Sequence, residues 1–154
     1  MKDPHIKVII PAYNEESSIG LVLAAIPTIV NEVIVVSNAS TDMTEEVAQN
    51  GGATVLREER RGYGYACLKG MDYISKSKDA TDIVVFLDGD YSDYPEELNS
   101  IVKPIIEEGF DMVIGARVKR LRESGSMTAP QIFGNWLATS LMSFFFNVTN
   151  LLLD

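Results

Sequence analysis

Ile83-Val84-Val85-Phe86-Leu87-Asp88-Gly89-Asp90 is the stretch whose reading decides the fold. Five apolar residues in a row predict a strand buried on both faces, the pattern of a central strand in a parallel sheet between helices. The run stops abruptly in two carboxylates separated by a glycine. Two residues apart on extended backbone, Asp88 and Asp90 point the same way. Gly89 lets the chain turn there and a ligand come close. Open α/β sheets bind ligands at the carboxyl ends of their strands. Such a carboxylate pair suits Mg²⁺ or Mn²⁺, hard cations held by one or two carboxylates together with substrate phosphates. Alone, Asp-Gly-Asp also describes a solvated turn; the apolar strand before it is what makes a metal site a serious candidate.

Outward from this strand, the chain alternates in type. Ile6 to Ile10 predicts a first strand ended by Pro11. A helix follows with Ile19, Val22, Leu23 and Ile26 at helical spacing, capped by Ser17 or Ser18 and stopped near Pro27. Glu32 to Val36 predicts a second strand, and Thr44 opens a short helix that closes at Gly51-Gly52. Ala53 to Leu56 predicts a third strand, followed by a basic, glycine-rich loop over 57–64 and a helix from about Tyr65 to Ser77. After Asp90, Pro95-Glu96-Glu97 fits a first helical turn, with Gly109 as its stop and a kink or break at Pro104. Asp111 to Gly115 predicts a fifth strand. Strands alternating with helices imply a largely parallel sheet covered on both faces.

At 154 residues the chain suits one domain with a real core. Its net charge of −9 argues against nucleic acid or anionic lipid as a non-specific partner. An anionic substrate would then need local arginines or a bridging cation. A single cysteine, Cys67, forms no internal disulfide, and no apolar signal region opens the sequence, so a cytoplasmic setting is expected. Cys67 reads as core, because the one histidine, His5, lies beside the amino terminus. Residues 118–130 read as a basic loop, and 131–153 as an apolar helical segment with polar interruptions, buried or interfacial rather than spanning a membrane.

In a parallel sheet the loops after the strands share one edge, which predicts one composite site. Tyr13 offers a stacking surface, Asn14 and Glu15 offer hydrogen bonds, and Asn38 with Asp42 could hold a base and its ribose. Taken singly, these loops read equally well as helix-entry turns and caps. Arg57, Arg60 and Arg61 before Gly62-Tyr63-Gly64 form a reasonable anion site with a helix amino terminus behind it. Arg117, Lys119, Arg120 and Arg122 form a second basic group able to close over a diphosphate.

The order Pro11-Ala12-Tyr13-Asn14-Glu15, Asn38-Ala39-Ser40-Thr41-Asp42, Gly62-Tyr63-Gly64, Asp88-Gly89-Asp90 and Gly115-Ala116-Arg117 resembles the family 2 glycosyltransferases of GT-A fold. Within them it looks most like the dolichol-phosphate mannose synthase-like, polyprenyl-phosphate sugar transferases. The resemblance implies an α/β GT-A catalytic domain over 1–154, with the nucleotide-sugar-binding part in 1–117 and a C-terminal truncation on the acceptor side. It implies donor contacts from Pro11, Ala12, Tyr13, Asn14, Glu15, Asn38, Ser40, Asp42, Arg61, Gly62, Gly64, Asp88 and Gly89. Asp88 and Asp90 match the family's Asp-x-Asp, with Asp90 the better candidate for direct metal contact, and Arg117 matches its arginine near the sugar diphosphate. Two positions depart from the pattern: Ser37-Asn38 stands where many members have Asp-Asp, and Ala39 replaces a glycine.

The implied activity is metal-dependent, inverting transfer of a hexose from a UDP-glucose or GDP-mannose type donor to a polyprenyl phosphate or saccharide acceptor, in cell-envelope glycan synthesis. Mg²⁺ or Mn²⁺ would be the cofactor. The expected setting is the cytoplasmic face of a membrane, with peripheral contact or a homodimer through the apolar segment. A sugar nucleotidyltransferase and a non-catalytic nucleotide-binding fragment are the alternatives.

Overall fold

A computed structural model of the chain describes residues 4–115. The chain divides into two compact units, Met1–Val113 and Ile114–Asp154, and every element below belongs to the first. In order these are β1 (Ile6–Ala12), α1 (Ile19–Ala25), β2 (Val30–Ser37), α2 (Thr44–Asn50), β3 (Thr54–Arg57), α3 (Tyr63–Lys76), β4 (Ile83–Phe86), a short 3₁₀ turn (Pro95–Glu97) and α4 (Leu98–Glu108). The strands form a parallel sheet in the order β3-β2-β1-β4.

The period of two along β1 and β2 divides the core. Ile6, Val8, Ile10 and Ala12 face one layer with Ile19 and Val22 of α1, Ala48 of α2, and Leu98 and Val102 of α4. Ile9, Ile34 and Val36 face the other, against Ala66 of α3. All seven residues of β1 are buried, which is the signature of a strand with neighbours on both edges and helices on both faces. Gly70 lets α3 approach closely, since a Cβ there would stand 2.7 Å from Cγ2 of Ile9.

Lys7, 1% exposed, is the polar exception in this strand. Its Nζ lies 2.7 Å from Glu32, which also accepts hydrogen bonds from Tyr73 Oη and Thr54 Oγ1. Burial opposes ionisation of Glu32 most, but hydrogen bonds from Lys7, Tyr73 and Thr54 together hold its carboxyl below the usual range. This network lies toward the amino ends of the strands, away from the loops that follow them.

Several expectations need correction. β1 does not end at Pro11 but continues to Ala12. Ala12 O accepts from Asn38 N, so residue 12 faces β2, and by alternation Pro11 faces β4. β4 has already ended at Phe86, so the absent N–H of Pro11 breaks no ladder bond. Within the described sheet β4 is neither central nor buried on both faces. It is the edge of the described sheet, α3 packs on β1 and β2, and Phe86 is left 46% exposed. Residues 111–115 form no strand, and the apolar side chains of Met112 and Ile114 are exposed.

The ends of the helices hold further corrections. Ser18 takes the N-cap position of α1 but caps no N–H; its hydroxyl instead donates to Glu15 Oε2 at 2.7 Å. α4 runs unbroken through Pro104. Ser100, whose carbonyl an N–H at 104 would have served, is exposed to water. Gly109, in the left-handed conformation, ends α4 as expected. Among the described residues no helix is long and apolar enough to cross a membrane. The basic loop 118–130, the apolar segment 131–153 and Arg117 lie outside the described residues.

Candidate functional site

The loops that follow β1 and β2 are sewn together by side chain to main chain hydrogen bonds. Asn14 N donates to Ser40 Oγ, Glu15 N to Thr44 Oγ1 at 2.8 Å, and Glu16 N to Asp42 Oδ2. In return, Thr41 N donates to Asn14 Oδ1 at 2.9 Å and Met43 N to Glu16 Oε2 at 2.8 Å. Ser40 Oγ also reaches back to Ala12 O. Asp42 accepts from the Thr44 hydroxyl and N–H. Burial opposes ionisation of Asp42, but these bonds and that from Glu16 N–H hold its carboxyl below the ordinary range. Asn14, Glu15, Ser40 and Asp42 therefore shape the rim chiefly by fixing one loop to the other.

Asn38 departs from expectation. It is buried, and its amide is committed to the loop after β3: Nδ2 donates to Glu58 O and Arg60 O, and Oδ1 accepts from Gly62 N. Those contacts occupy the amide nitrogen, so the side chain acts as a brace between the two loops.

The three arginines of the 57–61 segment have separate roles. Arg57 pairs with Glu45 and Glu59, and Arg60 forms a two-point pair with Glu58 while lying 4.6 Å over the Tyr65 ring. Two of the three arginines are thus neutralised locally. The Arg60 guanidinium and N–H hold the Glu58 carboxyl down at about 2. Arg61 alone of the three has no carboxylate partner among the described residues. Its guanidinium sits 5.4 Å from the centroid of Tyr13, whose ring is exposed.

The carboxylates adjoin the same rim. Gly89 is buried, and a Cβ on it would lie 3.4 Å from Ile10 Cγ2 and 3.5 Å from Ala12 Cβ. These are ordinary packing distances, and they show that residues 88–90 run close against the end of β1. Asp88 is exposed and accepts a 3.3 Å hydrogen bond from Tyr63 Oη at the start of α3. Partial burial, with the Asp88 carboxylate adding to it, pushes the Tyr63 phenol up to about 12, so it stays protonated and donating. Asp90 Oδ1 accepts from Ser92 N at 2.9 Å. Burial likewise pushes the Cys67 thiol up, in keeping with packing rather than nucleophilic duty.

The non-glycine residues with positive φ among the described residues are Asn14 (57°), Ala39 (57°) and Tyr91 (59°). One lies in each loop that follows β1, β2 and β4. Backbone strain of this kind gathers at functional sites. Sequence reasoning missed Tyr63, Thr44 and Glu58; the only signal for Tyr63 was its place between Gly62 and Gly64. In that segment Gly62 has φ 135°, which a side chain rarely tolerates, and Gly64 has no atom within 4 Å of a Cβ position.

Asp88 and Asp90 fit a divalent cation by donor chemistry. No cluster of three or more potential ligands exists among the described residues, so these would provide two hard oxygen ligands at most. That leaves coordination positions for phosphate oxygens and water, the habit of Mg²⁺ and Mn²⁺ in nucleotide sites.

Comparison with known proteins agrees with this arrangement. The family model described as "Glycosyl transferase family 2" matches residues 7–153. A dolichyl-phosphate hexose transferase of Haloferax volcanii is 34% identical over 148 residues, covering 92% of this chain and 60% of the relative. A UDP-N-acetylglucosamine–dolichyl-phosphate N-acetylglucosaminyltransferase of Methanococcus voltae is 29% identical, over 94% of this chain and 64% of the relative. Glucosyl-3-phosphoglycerate synthase from Mycobacterium tuberculosis, solved with Mn²⁺, UDP and glucosyl-3-phosphoglycerate, superposes with a TM-score of 0.58 at 32% identity. That match covers 68% of this chain and 40% of the synthase. The chain thus spans less than two thirds of the length of each of these proteins, and its fold is of the GT-A type.

Proposed function

This chain belongs to glycosyl transferase family 2, and we propose that it is the donor-binding part of a metal-dependent, inverting hexosyltransferase. Its substrates would be a nucleotide sugar of UDP-glucose or GDP-mannose type and a polyprenyl phosphate. The observation that carries this reading is the meeting of distant loops. Asp88-Gly89 lies on the end of β1, and the loop after β1 is tied to the loop after β2. Both relatives named above are called dolichyl-phosphate sugar transferases, which supports the acceptor class. The solved neighbour holds UDP with Mn²⁺, and also with Mg²⁺, which supports the donor and the cation.

Each residue has a part in this reading. Tyr13 offers its exposed ring to the base. Asn14, Ser40 and Asp42 keep that loop in shape, with Pro11, Ala12 and Glu15 in its frame. Arg61, with the open space at Gly64 and the start of α3 behind it, receives the diphosphate. Asp88 and Asp90 would hold the cation, and the family resemblance assigns Arg117, outside the described residues, to the diphosphate. A divalent cation held by Asp88 and Asp90 would supply Lewis-acid stabilisation of the negative charge on the departing nucleoside diphosphate. Arg61 serves the same developing charge as a positive group of the protein itself.

A phosphate acceptor is already anionic near neutral pH, so transfer to it needs a general base less than transfer to a hydroxyl would. Because a polyprenyl phosphate resides in a lipid bilayer, the reaction is assigned to the cytoplasmic face of a membrane.

The test is calorimetry of UDP- and GDP-sugars with and without Mn²⁺, on the wild-type chain and on Asp90→Ala. Donor binding should require Mn²⁺ and vanish in the variant while the circular dichroism spectrum is unchanged. Equal binding by the two proteins would remove Asp90 from the metal site.

A further inference from the structure

We propose that Asn38 is a positioning residue: it holds the 58–62 loop so that Arg61 and Tyr63 are set for the donor. This rests on the reading of the rim as a donor site and adds to it the part that sets its basic side. Asn38 is 7% exposed at the carboxyl end of β2, and every hydrogen bond it makes through its amide goes to main chain of that loop. Nδ2 reaches Glu58 O at 3.3 Å and Arg60 O at 2.7 Å, while Oδ1 takes Gly62 N at 2.7 Å.

Arg61 therefore follows a tethered carbonyl and precedes a tethered N–H. Glu58 adds a second brace, with its own N–H on Ser37 O and its carboxylate on the N–H and guanidinium of Arg60. What these braces leave without a carboxylate partner, among the described residues, is the Arg61 side chain, aimed over Tyr13. The next residues start α3, and its first residue, Tyr63, reaches Asp88. One buried amide thus sets both an arginine suited to a diphosphate and the phenol that orients a carboxylate. An aspartate at 38 would put negative charge against two carbonyl oxygens and have no proton to donate, so the asparagine amide is the feature that matters.

The experiment is a double-mutant cycle on the full 154-residue chain, using Asn38→Ala, Arg61→Ala and the pair. The probe is whichever of UDP and GDP the wild type binds with Mn²⁺. Each single variant should weaken binding by about tenfold, the scale of one hydrogen bond to a charged group. The pair should be little worse than either alone, because an unplaced Arg61 has nothing left to lose. Asn38→Asp, nearly isosteric, should repeat the loss and leave Arg61→Ala without further effect in its background. Additive losses would overturn the proposal, as would collapse of the fold in both Asn38 variants, which would make the residue purely structural. Failure of the wild type to bind either nucleotide would be a different result: it would remove the donor-site reading, and this inference with it.

Discussion

The contact between α3 and β1 allows a sharp test, because one helix carries two glycines in opposite surroundings. At Gly70 a Cβ would stand 2.7, 3.0 and 3.1 Å from three carbons of Ile9, whereas carbon atoms prefer about 3.5–4.0 Å. Ile9 cannot withdraw. It is fully buried in a strand paired with Ile34 on one side and Phe86 on the other. Gly70→Ala must therefore lift α3 or distort the strand, an overpacking cost of about 1–3 kcal/mol. Alanine offsets this by ~1 kcal/mol through its better helix propensity. The net expectation is a loss of up to about 2 kcal/mol and a fall in Tm of up to roughly 8 °C for a chain of this size. At Gly64 a Cβ would meet nothing within 4 Å, so Gly64→Ala should leave Tm unchanged or raise it by about 2–4 °C. Urea and thermal denaturation of the two variants side by side measure the difference. If Gly70→Ala were as stable as Gly64→Ala, the close approach of α3 to β1 would be wrong.

Two further predictions concern the rim. The Glu58 carboxyl is held at about 2, below its usual 4.5, so its contribution to stability is complete above pH 4.5 and is lost as pH falls toward 2. Glu58→Gln should accordingly flatten the decline of the urea midpoint between pH 4.5 and 2; an unchanged slope would show that Arg60 does not hold the carboxylate. Tyr63→Phe removes the phenol that donates to Asp88 Oδ1. It should weaken Mn²⁺-dependent donor binding by about tenfold, the usual effect of losing a group that orients a metal ligand. Isothermal titration with UDP at fixed Mn²⁺ reads this, and an unaltered affinity would detach Tyr63 from the site.

Much of the architecture was legible because apolar period and punctuation are local signals. Four strands, the helices between them and the stop at Gly109 follow from runs of Ile, Val and Leu and from glycine placement. What escaped was relational. The run 83–87 has the composition of a central strand, yet position in a sheet depends on neighbours, and β4 stands at the described edge. Pro11 reads as a terminator until it is known which side of β1 its nitrogen faces. Asn38 offers the same amide to a base or to a loop, and the carbonyls it chose belong to residues 58 and 60, some twenty positions away. The separation of Arg61 from Arg57 and Arg60 likewise depended on which arginine found a glutamate.

Ala39 draws one last consequence from the backbone. An alanine at φ 57° carries a standing tension of about 1–2 kcal/mol that a glycine would not, and Asn14 and Tyr91 bear related conformations nearby in the fold. A protein that keeps such tension after folding has settled the outline of its loops before any ligand arrives. Little ordering is then left to occur at the moment of encounter, and selectivity between ligands becomes a matter of shape already cast rather than of shape acquired.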